Sequence, residues 1–300
     1  MPVFFFISGY LFFNKPLFNK EVYKNNIRKR IRSLLIPYIL WTLIAFSVFA
    51  IFQILMPELQ SGSHKPIKDW DFFEFIINCF WRYGEEGSPF VGQFWFLRDL
   101  MIICLISPIL YFLIKKLSYY PVLCFGLLWL FEIERYFVPG TIGLFFFCWG
   151  AYYQIEEKDF LHFFDKIIKL SWFSIPLYIF DAASKTYCYN EFIHSLAILL
   201  GIPLVFTIGR YFVENKRITI PNILYESTFF IYAIHEPYYD QIKKIVFKNI
   251  SISQNSLMAN MELIILYLLM VVIYISILVG LFYILKRILP SFTKVLIGNR

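Results

Sequence analysis

Met1-Pro2-Val3-Phe4-Phe5-Phe6-Ile7-Ser8-Gly9-Tyr10-Leu11-Phe12-Phe13 opens the chain, and its first residues already lie inside an apolar segment. Directly after it come Lys15, Lys20, Lys24, Arg28, Lys29, Arg30 and Arg32. An apolar block meeting a cationic block marks where a membrane span reaches the cytosolic face, because Lys and Arg resist translocation. The block has no positively charged leading region and no small-residue cleavage site, so it reads as a span and not as a signal peptide.

Composition extends that reading to the whole chain. Of 300 residues, 59% are hydrophobic and only 16% charged, and the mean hydropathy is +0.62. Soluble domains carry about a quarter charged residues. A soluble core of this size cannot hide so much apolar surface, so lipid must solvate much of it. The 36 Phe and 21 Tyr fit aromatic belts at the headgroups. The expected fold class is all-α, a polytopic transmembrane helical bundle forming a single domain over residues 1–300.

The net charge of +7 sits in short segments between apolar runs. That placement fits orientation in the bilayer and attraction to membrane lipid, and no nucleic-acid partner is expected. Cys79, Cys104, Cys124, Cys148 and Cys188 form no CxxC pair and mostly lie in apolar stretches. They read as small hydrophobes. The four histidines show no metal-ligand spacing, so no metal is expected.

Roughly 20 apolar residues cross the hydrocarbon, with shorter segments tolerated inside bundles. Nine spans are read at 2–13, 34–56, 93–114, 120–132, 137–154, 168–181, 192–213, 223–236 and 261–285. Under alternation, one side receives the first basic run together with Lys115, Lys116, Lys158, Lys166, Lys216, Arg217, Lys286, Arg287, Lys294 and Arg300. The other receives Lys65, Lys68, Arg82, Arg135, Lys185, Lys243, Lys244 and Lys248, fewer than half as many on longer loops. The first side is therefore expected to be cytosolic, with Arg300 inside and Met1 outside. An odd number of spans starting outside suggests a missing upstream helix, which would make ten. Residues 69–82 alternate polar and apolar groups and read as an amphipathic helix on the outer surface.

Three patterns stand in order along the chain. Pro2-Val3-Phe4-Phe5-Phe6-Ile7-Ser8-Gly9-Tyr10-Leu11 is followed by Lys29-Arg30-Ile31-Arg32-Ser33-Leu34-Leu35-Ile36-Pro37-Tyr38. Then come Gln93-Phe94-Trp95-Phe96-Leu97-Arg98-Asp99-Leu100 and Ser227-Thr228-Phe229-Phe230-Ile231-Tyr232-Ala233-Ile234-His235-Glu236-Pro237. Together they resemble the membrane acyltransferase-3 family over essentially the whole chain. The resemblance implies transfer of acyl groups, usually acetyl from cytosolic acetyl-CoA, onto surface polysaccharides or other exported acceptors. It also implies that the opening block is the family's second helix, and that the main catalytic histidine belongs to a helix upstream of Met1.

Several residues invite chemistry. Arg28, Arg30 and Arg32, with Lys29, stand before a span, and Arg forks bind phosphates better than a single-point Lys does. Two readings stand for them, a clamp for coenzyme A phosphates and a plain topology signal. His235, near the outer interface, could take a proton from an acceptor hydroxyl or simply anchor its span. Glu236 follows it, but sequence neighbours do not face each other on a helix. Arg98 and Asp99 lie within the span at 93–114, and Glu226 lies a few residues into 223–236. Ionisable groups at membrane depth are site candidates, or else structural ion pairs inside the bundle. Ser8 and Gly9 suit close helix packing, since a Ser nucleophile needs a base within reach. Ser8, Trp95, Arg98, Asp99 and Glu226 form the candidate substrate pocket. His64, His162 and His194 read as bland.

The function expected is an integral inner-membrane O-acyltransferase using acyl-CoA and an envelope glycan or glycolipid. Two alternatives accompany it, a glycan or lipid transporter and an inactive truncated acyltransferase. A transporter should show inverted repeats and matched broken helices, and the sequence has neither.

Overall fold

A computed structural model describes residues 1–14, 18–55, 66–83, 87–133, 137–214, 221–249 and 256–299. Lys15, His64, Lys65, Arg135, Lys216, Arg217 and Arg300 lie outside the described residues, as do the side chains of Pro237, Lys244 and Lys248. The described residues are helical, with no strand among them. They form two compact units, Met1–Arg28 with Asp99–Thr219, and Lys29–Arg98 with Ile220–Arg300.

The first unit begins with α1 (Pro2–Phe12), which starts on a proline that suits a first helical turn. It packs on α7 (Thr141–Ile155) through two reciprocal glycines. A Cβ at Gly9 would lie 2.0 Å from the Phe147 carbonyl oxygen, and one at Gly150 would lie 2.0 Å from that of Phe6. Only glycine allows this approach, and in lipid such packing replaces the absent hydrophobic drive between helices. Phe6 is fully buried, its ring edge-on to Trp149, Phe160 and Phe206 at 5.3–5.6 Å. Edge-to-face pairs of this kind add stabilisation beyond their buried area.

The basic run is helical. Asn19 Oδ1 accepts from the Val22 amide and caps α2 (Lys20–Arg30). A π-helical turn, Ile31–Leu35, then leads into α3 (Ile36–Leu55). The expected connection at 14–33 is therefore mostly helix, continuous with the span after it. Local capping explains the difference, because composition alone marked the segment only as cationic.

The remaining elements of the first unit are α5 (Trp95–Leu117) from Asp99 onward, α6 (Tyr120–Leu130), α8 (Phe160–Ser171), α9 (Ser174–Ala183) and α10 (Asn190–Glu214). The expected span at 168–181 is corrected to two helices. Pro176 carries no N–H for the Trp172 carbonyl and stands in the first turn of α9, where no such bond is needed. Arg210 ties α10 to α8, its Nη2 donating to both carboxylate oxygens of Asp165, at 2.7 and 2.8 Å.

The second unit is built on α3. Trp41 Nε1 donates to the Leu296 carbonyl of α13 (Pro290–Leu296) at 3.1 Å, and Tyr38 donates to Phe80 at 2.7 Å. Phe80 ends α4 (Phe72–Phe80), where Asp71 and Glu74 form a capping box. This helix matches the amphipathic segment expected at 69–82. Its exposed Phe72, Phe73 and Ile76 give the apolar face of an interfacial helix. The unit closes with α11 (Asn222–Asn249) and α12 (Ser256–Ile288).

Among the described residues, four helical stretches are long and apolar enough to cross a membrane: Lys20–Leu55, Gly92–Leu117, Asn190–Glu214 and Met261–Ile288. α1, α6 and α9 are apolar but shorter. At 11 residues, α1 and α6 each rise about 16 Å, half of the hydrocarbon thickness. The structure is that of an all-α, multi-pass membrane protein, and helix length leaves the count of nine spans without support. α12 exposes Ile264, Ile265, Leu268 and Val272, as a lipid-facing helix must.

Candidate functional site

The polar residues of the second unit gather where α5 begins beside the middle of α11. Pro237 lies within α11 and offers no N–H to the carbonyl four residues back, that of Ala233. Gln93, in the 3₁₀ turn Gly92–Phe94 that precedes α5, supplies the missing donor. Its side-chain nitrogen donates to the Ala233 carbonyl at 3.1 Å and to that of Tyr232 at 3.4 Å. Tyr232 returns a bond from its hydroxyl to the Gln93 carbonyl. Gln93 is 5% exposed, and its Oε1 has no hydrogen-bond partner among the described residues. Rotating the amide would set oxygen against two carbonyls, so the free atom is the acceptor. A buried bare acceptor is costly, which suits a place where a hydroxyl donor binds.

His235 is half-buried on α11. Its Nδ1 lies 2.8 Å from the Tyr232 carbonyl, which can only accept. Nδ1 therefore carries the proton, and Nε2 presents a lone pair suited to taking one from a hydroxyl. The carboxylate oxygens of Glu236 lie beside Gly92, 3.5 Å from where a Cβ would stand there. Glu236 thus occupies a different side of α11 from the bonded face of His235, as sequence adjacency requires.

The other pocket candidates separate. Arg98 is 6% exposed, donates to the Trp81 carbonyl and to that of Gly87 at 2.7 Å, and lies 5.8 Å from the Trp81 ring centroid. These two bonds hold the segment between α4 and α5. Asp99 is 2% exposed and belongs to the first unit. It accepts from the Gly140 amide at 2.8 Å, at the N-terminus of α7, where a carboxylate is favoured by the helix dipole. Glu226 pairs with Lys286 of α12. It precedes His235 by more than two turns, about 13 Å along α11, and so stands apart from the histidine cluster.

Ser8 is half-buried beside the Gly9 contact with α7, in keeping with packing. Trp95 begins α5, with its ring centroid 6.4 Å from that of Phe96. Arg28 and Arg32 are exposed and Arg30 is half-buried, with Arg32 inside the π-helical turn. Such turns often mark functional positions.

Burial pushes the Cys79 thiol up to about 12 and raises the Tyr83 hydroxyl above its ordinary value. Both stay protonated at neutral pH, so Cys79 is a poor nucleophile. All five cysteines are free thiols.

Sequence reading passed over a second cluster in the first unit. Asp181, 6% exposed, accepts from Lys185 and Asn190 at 2.9 Å each and lies 3.0 Å from His194 Nδ1. A fully bonded carboxylate here fixes the turn between α9 and α10, and it orients a histidine that sequence alone left bland. Asn190 and His194 lie 9 and 13 residues from Asp181, beyond any helical spacing that would betray them. Gln93 was missed for a like reason. Pro237 signals a freed carbonyl, but not a donor 140 residues away. No group able to hold a metal is present among the described residues.

A helical, multi-pass membrane protein with an oriented histidine beside a buried, unfilled acceptor is the class these features define. Residues 1–286 match the model of the acyltransferase-3 family, described as an acyltransferase domain. The chain belongs to that family and is a membrane acyltransferase at the family level. No curated protein and no solved structure matches it.

Proposed function

We propose that the chain is an O-acyltransferase of the cytoplasmic (inner) membrane, moving an acyl group from cytosolic acyl-CoA to a hydroxyl of an envelope polysaccharide or glycolipid. Acetyl-CoA is the donor proposed. The observation that carries this reading is the family match over residues 1–286. In the proposed step the acceptor hydroxyl gives its proton to a base as its oxygen attacks the thioester carbonyl. The C–S bond then breaks, and the proton passes to the departing thiolate of coenzyme A. His235 serves as an accessory base, for which the Nδ1–Tyr232 bond supplies the right tautomer. The unpartnered Gln93 Oε1 suits a hydrogen bond from an acceptor hydroxyl.

Arg28, Arg30 and Arg32 are proposed to hold the coenzyme A phosphates; Arg28 and Arg32 are exposed and Arg30 half-buried. Ser8 and Trp95 remain candidate pocket walls, whereas Arg98, Asp99 and Glu226 have the structural partners described above.

The test compares variants in membranes supplied with acetyl-CoA labelled in its acetyl group. Arg30→Ala should raise KM for the donor with little change in kcat. His235→Ala should lower kcat by about tenfold or more, below the 10²–10⁴ typical of a principal general base. Unchanged kinetics in both variants would remove these residue roles.

A further inference from the structure

We propose that the first unit carries a binding site for an anionic phospholipid, seated in a groove between α6, α7 and α8 with its headgroup at the Lys158–Lys166 end. The groove has a volume of about 820 Å³, within the 300–1,000 Å³ usual for sites that enclose small ligands. None of the acyl-transfer candidates lines it, so the inference stands independently of the proposed reaction.

The groove has two chemically distinct ends. Its walls are Leu123, Leu127, Trp129, Phe145 and Trp149, a surface suited to a hydrocarbon chain. Gly126 lets α6 approach the Phe145 ring closely, since a Cβ there would come within 2.9 Å of it. α6 and α7 are packed together, and the start of the first and the end of the second share one end of the groove. There stand Tyr119, Tyr152, Lys158, His162 and Lys166. Lys158 donates to the Tyr152 hydroxyl and lies 4.6 Å from its ring centroid, which fixes the ammonium at the rim. That bond also raises the Lys158 pKa, keeping the group charged.

His162 and Lys166, one turn apart, share a face of α8. The acidic residue at this end, Asp159, accepts from the Leu161 and His162 amides, so its charge is engaged at the helix N-terminus. Glu156 and Glu157 do not line the groove. The rim therefore offers two ammonium groups, an imidazole and two phenols to a phosphate, above an aromatic slot for its chain. This is the complement of an anionic phospholipid, and the basic end belongs to the segments whose charge bias assigns them to the cytosolic leaflet.

The test reconstitutes the full chain in phosphatidylcholine vesicles containing a minor fraction of phosphatidylglycerol brominated on its acyl chain. Trp129 and Trp149 line the groove, and subtracting the signals of Trp129→Phe and Trp149→Phe isolates their fluorescence. The expected result is stronger quenching by brominated phosphatidylglycerol than by brominated phosphatidylcholine at equal fractions. In Lys158→Gln with Lys166→Gln the preference should fall about fivefold per lysine removed. Both lysines are exposed, so these variants should fold, and unchanged circular dichroism checks it. Equal quenching by the two lipids, or a preference that survives the double variant, would overturn the site. So would displacement of the brominated lipid by palmitoyl-CoA, which would assign the groove to the donor.

Discussion

Gln93 shows how one side chain can repair a helix. Pro237 frees the Ala233 carbonyl within α11, and the Gln93 amide binds it. Gln93→Leu keeps the volume but removes the donor, so thermal unfolding in detergent should show a loss of about 1–3 kcal/mol, the cost of a buried carbonyl left bare. Asp99→Ala removes a buried carboxylate from the N-terminus of α7, and the same measurement should show about 1.5–3 kcal/mol lost. His235 and Asp99 were visible in the sequence as polar groups among apolar ones. The partner of Asp99 was not, because the amide of Gly140 is reached only through tertiary packing, whereas His235 bonds the carbonyl three residues back on its own helix.

Elements follow local chemistry where the chain punctuates them. The polar and apolar alternation at 69–82, the small pair Ser8-Gly9 and the long apolar run in α12 were all legible, and each led to the right kind of element. Helix breaks and continuations were less so. Pro176 stands in the first turn of α9, just past the break after α8, whereas Pro237 lies inside an unbroken α11, where Gln93 binds the carbonyl it frees. A proline in the sequence does not announce which outcome it will have. The α1–α7 crossing rests on two glycines that each meet backbone. Gly150→Val would drive two methyl groups toward the Phe6 carbonyl, and the helices would have to separate. A destabilisation of about 1–3 kcal/mol or more is expected, seen as a lowered Tm or loss of folded protein from membranes.

At the scale of the molecule, composition alone established a helical membrane protein, since 16% charged residues leave no soluble alternative. Orientation was read from basic residues and is open to chemical test. Cys188 is an exposed free thiol between α9 and α10, on the side assigned to the exterior. A membrane-impermeant maleimide should label it in cells with a permeabilised outer barrier and an intact inner membrane. Cys79, Cys104 and Cys148 are buried and should stay unlabelled. Labelling of Cys188 only after the inner membrane is broken would reverse the topology.

The central claim is acyl transfer, and the most direct measurement follows the acyl group itself. Membranes containing the chain are given acetyl-CoA labelled in the acetyl carbonyl, and envelope polysaccharide and glycolipid are then extracted. The account predicts label on the glycan as an alkali-labile ester, diminished in His235→Ala. Protein that is folded and membrane-inserted, yet transfers no label above membranes lacking it with any acyl-CoA and envelope glycan offered, would contradict the account.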